Sequence, residues 1–166
     1  MIPNFLIIGI SSFIPMLIGY AWFHPKVFGG NRWYDAAKLT GKDRTEVSTG
    51  KLLFTIVLNF LIALGLFNLC IHQAHVIGTV GGDIDALKSG TAAAFLQEYG
   101  TSHLNFGHGA FHALLPGVLT FVIPILGYVA IFENKGWNYF FIYLGYWTIS
   151  LGLMGGTISQ WGTTML

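Results

Sequence analysis

Five of the six histidines in this chain cluster around the connection between two apolar segments. His72 and His75 follow the first segment, and His103, His108 and His112 lead into the second. His72 and His75 stand three apart and His108 and His112 four apart, spacings that put each pair on one face of a helix. Asn68 lies a turn before His72, and Asn105 lies close before His108. Helices joined through one loop bring both pairs to similar depth. His72, His75, His108 and His112 are therefore the candidate ligand set, with His103 a more peripheral fifth. Imidazole suits zinc, copper, nickel and iron. The run HGAFH, 108–112, lacks the glutamate of the HExxH protease motif, so metalloprotease chemistry is not expected and no catalytic residue is assigned.

Other chemistry can use the same residues. The bland reading is interfacial histidines bonded to water, asparagine or backbone. A b-type haem needs one axial histidine from each of two facing helices. Against it, these histidines lie near an interface and the segments are filled with aromatics. A proton relay or pH-sensitive gate is a further reading, because imidazole titrates near neutrality. A small transporter or channel-like protein would usually carry charge within the membrane. Here the apolar segments offer only Asn59, Asn68, Ser11, Ser12, Thr120 and tyrosines, and Asn59, Ser11 and Ser12 are expected to bond between helices.

The elements that must position the histidines follow from composition. Only 9% of the 166 residues are charged, against 54% hydrophobic and 16% aromatic, and mean hydropathy is +0.63. A soluble domain carries about 25% charge, so lipid must cover much of this surface. Net charge of +1 gives no reason to expect nucleic acid. The lone Cys70 excludes an internal disulfide and a cysteine-based zinc site and reads as a small buried side chain. The first segment lacks the basic start of a signal peptide and reads as a retained membrane helix.

A spanning helix needs about 20 apolar residues. Four segments qualify, at about 3–23, 52–74, 108–132 and 137–161, with continuous rather than alternating apolar runs. The expected fold is all-α: one membrane domain, 1–166, built as a four-transmembrane-helix bundle. The first connection holds Lys26, Arg32, Lys38, Lys42, Arg44 and Lys51, six of the eight basic residues. The positive-inside rule then puts it and the third turn, Glu133 to Gly136, in the cytoplasm. Both termini and the histidine-flanked loop face outward, in a bacterial inner membrane. Glu133 is expected to pair with Lys135 or a first-loop arginine.

Short interfacial helices are expected in both longer loops. Asn31 is placed to cap one at about 32–39 that Gly41 stops, Thr91 to cap one at 92–99 that Gly100 ends, and Ser48 to cap the second span. Tyr143, Tyr146, Trp147 and Thr148 should turn their polar ends toward protein. Gly152 and Gly156, and the row Gly109, Ala113, Gly117, predict close helix packing. IPMLIGYAWF, 14–23, echoes IPILGYVAIF, 123–132, as a duplicated two-helix hairpin would.

The run GYAWFHPKVFGGNRW, 19–33, resembles the G-x-x-W-(Y/F)-x-P-x-x-F-G-x-x-W signature of the domain of unknown function 1761 family. Phe132-Glu133, the aromatic run after it and GYWTISLGLMGG are similar to that family's closing helix. One extra residue separates Phe28 from Trp33, at Gly29-Gly30. The resemblance implies a small bacterial membrane protein with four helices; it supplies no activity and no site residues. The reading that results is an oligomeric or accessory subunit, a homo-oligomer or part of a larger membrane complex, with a histidine-rich outer face able to bind a transition metal.

Overall fold

The computed structural model describes residues 2–26, 30–39, 48–83 and 85–164. Four helices are long and apolar enough to cross a membrane: Phe5–Trp22, Thr49–Cys70, Phe106–Phe132 and Gly136–Trp161. At about 1.5 Å per residue, even the shortest nears the roughly 30 Å hydrocarbon core. Phe5, Leu53, Phe121 and Phe141 are each about 60% exposed, a surface that water would not tolerate and lipid accepts.

In chain order the elements are β1 (Ile2–Pro3), α1 (Phe5–Ser11), α2 (Ile14–Trp22), α3 (Gly30–Ala36), α4 (Thr49–Cys70), α5 (Ala74–Thr79) and α6 (Gly90–Tyr99). Then follow α7 (Phe106–His112), a π-helical stretch (Ala113–Val122), α8 (Ile123–Phe132), α9 (Gly136–Trp161) and β2 (Thr163–Thr164). The two strands pair antiparallel, Ile2 opposite Thr164 and Pro3 opposite Thr163. This small ladder, absent from an all-α expectation, holds the starts and ends of the described chain together.

In two of the four spans the regular α-helix is interrupted, each near a proline. In the first, Pro15 has no N–H and its ring crowds the Ser11 carbonyl, so α1 stops and α2 starts afresh. Ser11 Oγ donates to Ile7 O and Ser12 Oγ to Gly9 O, each at 2.6 Å. The hydroxyls thus cover carbonyls of their own helix at the break, which corrects the expectation that they bond between helices. Asn59 departs from it too: it is buried, and its Nδ2 has no partner among the described residues. In the third span Pro116 lies inside the π-helical stretch, where the wider turn moves the His112 carbonyl away from the ring. The echoing segments begin α2 and α8, each with its proline in the first turn.

The last span, α9, is the common partner: α1, α2, α4, α7, the π-helical stretch and α8 all pack on it. Its small residues allow this. A Cβ on Gly155 would stand 2.6 Å from Ala113 Cβ and 2.7 Å from Gly109 O, and one on Gly109 would overlap the Gly155 backbone. The closest approach therefore pairs Gly109 with Gly155. The expected pair does something else: Gly156 receives the Phe106 ring and Gly152 the Leu114 side chain.

At the end remote from the histidine cluster, the indole N–H of Trp33 donates to Tyr143 Oη at 2.8 Å, and Tyr146 Oη donates to Pro15 O at 3.0 Å. Both tyrosines thus face protein. Lys135 Nζ donates to Ala37 O and Lys38 Nζ to Asn134 O, clamping the last turn to the α3 segment. Lys135 is therefore engaged with backbone rather than with Glu133. The helix α3 begins before Asn31, which lies in its first turn; Gly41, Lys42 and Arg44 are outside the described residues. Ser48 caps α4 as the sequence implies, its Oγ accepting from Lys51 N–H at 3.3 Å. Ser89 rather than Thr91 stands at the cap of α6, and Gly100 N–H closes its end on Leu96 O.

Candidate metal centre

The second span ends earlier than its apolar run. After Cys70 the backbone turns at Ile71, which is fully buried and adopts φ −111° and ψ 88°. That turn separates the histidines expected to share a helix face. His72 lies in the turn, and His75 lies in α5. Gln73 fixes the turn from the other side: buried, it donates from Nε2 to Tyr99 O at 3.0 Å and to Ser102 O at 2.7 Å. The loop ahead of His103 is thereby tied to the residue next to His72.

The third span begins at a cap. Asn105 Oδ1 accepts the His108 N–H at 2.9 Å, and Gln160 Oε1 of α9 accepts the Phe106 N–H at 3.0 Å. With the start of α7 anchored, Gly109 packs into α9 and His108 and His112, on a different face, lie against one another with ring centroids 4.4 Å apart. Cys70 Sγ donates to Gly109 O at 3.3 Å, joining α4 to the same turn.

Three imidazoles converge here. His72 Nε2 stands 3.1 Å from His112 Nε2. One ligating nitrogen from each of His72, His108 and His112 lies within 4.8 Å of the others. Two ligands at about 2.0–2.1 Å from a tetrahedral zinc are roughly 3.3 Å apart, so the separation of His72 and His112 suits a shared ion. It also suits an N–H···N hydrogen bond between opposite tautomers. His108 Nε2 is buried and has no hydrogen-bond partner among the described residues, and the rings of His72, His103 and His112 lie around its own. A buried ring nitrogen without a partner is available to a cation.

The remaining candidates are near but separate. His103, with φ +62°, stacks on His108 at 5.0 Å between centroids and is not in the three-nitrogen group. His75 is exposed and is not in that group either. Asn68 donates to Leu64 O of its own helix at 3.0 Å. The sixth histidine, His24, accepts the Lys26 N–H at the remote end. Spacing alone did not single out Gln73, Gln160 or Gly155, which position the site. A polar amide at the end of an apolar run was the available signal for the first two.

The family model for proteins of unknown function, DUF1761, matches residues 6–159. The chain belongs to that family. The match takes in all three converging histidines and most of each span. No curated protein and no solved structure matches the chain.

Proposed function

We propose that this member of the DUF1761 family is a multi-pass membrane protein that holds a transition-metal ion, zinc in the first instance, on His72, His108 and His112. The observation that carries the reading is the convergence, within 4.8 Å, of three imidazole nitrogens from the third span and from the turn that follows the second. A three-histidine zinc site with an open fourth position is the arrangement proteins use when the ion must also meet a small ligand. Copper, nickel and iron accept the same donors.

The wider setting belongs to the same proposal. The chain is one membrane domain arranged as a four-helix bundle in a bacterial inner membrane. The basic first connection supports a cytoplasmic location for it, and hence termini and metal centre toward the outside. The lack of acidic side chains in the spans favours an accessory or self-associating subunit over a pump. Haem fits less well, because ring nitrogens 3.1 Å apart leave no room for a macrocycle between His72 and His112.

The test is elemental analysis of protein purified without a polyhistidine tag. Stoichiometric zinc, copper, nickel or iron is expected, and His108→Ala with His112→Ala should remove it. Metal-free protein after metal-replete expression, or a double variant with unchanged content, overturns the reading.

A further inference from the structure

A hollow of about 800 Å³ runs from the histidines into the membrane-spanning part of the chain, between α4 and the π-helical stretch. Its polar end is formed by Asn68, His72, His75 and His112, and its far end by Ile62, Ile125 and Leu126. From Ile62 to His72 is roughly 15 Å at a helical rise of about 1.5 Å per residue, or about half the hydrocarbon thickness. Phe121 and Ile125 on its border are 60% and 59% exposed, so the hollow opens sideways toward lipid. Pro116 and Gly117 of the π-helical stretch form part of its wall. The backbone irregularity and the hollow therefore coincide.

We infer that this hollow is the binding site for a long-chain carboxylate, its chain lying along α4 and its carboxylate meeting the metal held by His72, His108 and His112. The inference rests on the metal reading and names the ligand of that same site. Two observations choose the occupant. The wall is apolar over one leaflet's depth and polar only at the imidazole end, the polarity profile of a single-chain amphiphile. Three neutral imidazoles leave a divalent ion its full charge, and no acidic side chain lines the hollow among the described residues. An anionic head supplies the missing counter-charge, and a neutral head does not. A carboxylate oxygen is also a normal fourth ligand of zinc.

The experiment uses untagged, zinc-loaded full-length protein in detergent micelles, titrated with radiolabelled palmitate, with zinc measured in the same fractions. Palmitate is expected to bind stoichiometrically, and methyl palmitate and a long-chain quinone about tenfold more weakly or less. Gly65 borders the hollow, and a Cβ there meets nothing within 4 Å. Gly65→Trp should therefore keep its zinc and weaken palmitate about tenfold. If that variant loses zinc, Ile62→Trp at the far end carries the same comparison. Zinc without palmitate binding, equal binding by the filled variant, or preference for the ester or quinone overturns the inference and leaves the metal reading standing. Absence of zinc from the wild-type protein overturns both.

Discussion

His72, in the turn that follows the second span, and His112, in the third, face each other with their Nε2 atoms 3.1 Å apart. At that distance the pair can share one proton or one cation, and two protons would put like charges in contact. Metal occupancy should therefore fall with acid. Zinc affinity is expected to fall as pH is lowered, by up to about tenfold per pH unit for each imidazole that must lose a proton to bind. The sign follows from competition: lower pH favours the protonated, non-ligating form. Zinc titrations between pH 5 and 8, using a competing chelator, check it, and a flat profile would speak against imidazole ligation.

The histidines should divide into two classes. His72, His108 and His112 contribute the converging nitrogens, and alanine at any one should weaken zinc by at least about tenfold, the range seen even for supporting residues of metal sites. His75 and His103 lie outside the group, and alanine there should change affinity only a few-fold. Equal losses at all five would point to a diffuse imidazole surface instead.

Gly109 and Gly155 set the depth at which α7 meets α9. Gly109→Val must force the two backbones apart, at a cost of about 1–3 kcal/mol or more for overpacking. Because His108 and His112 ride on the same helix, zinc affinity should fall along with thermal stability. Gly127→Val is the control, since a Cβ there meets nothing within 4 Å, and both properties should be nearly unchanged.

Gln73 holds the loop between α6 and α7 through two bonds to backbone carbonyls. Gln73→Leu removes both donors while keeping bulk, a loss of about 1–3 kcal/mol at the usual net value per bond. Amide exchange should accelerate selectively across residues 99–105, and chymotrypsin should cut at Tyr99 sooner. Uniform acceleration throughout the protein would assign Gln73 to global stability instead.

What could be read from the residues and what could not separates along physical lines. Continuous apolar runs of spanning length identify the four helices because lipid leaves the backbone no other choice. The Ser48 cap is equally local, since the side chain bonds a backbone N–H three residues on. Rotation is different. The run 52–74 stays apolar past Cys70, so composition carries His72 and His75 on along one helix, whereas the turn at Ile71 is set by burial and by the Gln73 contacts. Gly155 was hidden for a related reason: in GLMGGTIS several small residues are available, and only the facing helix decides which one is used. The proximity of His72 to His112 depends on both unknowns together. Spacing could nominate these residues, and the fold had to select among them.

The π-helical stretch has one more effect. Hydrogen bonds that skip five residues instead of four put an additional residue into each hydrogen-bonded ring and widen the turn, so α8 emerges at a different angular phase from the one α7 would impose. The helix α7, which bears His108 and His112, is keyed to α9 through Gly109, while Leu126 and Ala130 of α8 are keyed to Phe140. These two registrations are thereby independent, although a single continuous span carries both. Regularising the stretch by Pro116→Ala would make them compete, and whichever contact yielded would move the imidazoles or the remote turn. A wide turn in mid-membrane thus lets the histidine end and the remote end of the helix be tuned separately, much as two modules would be.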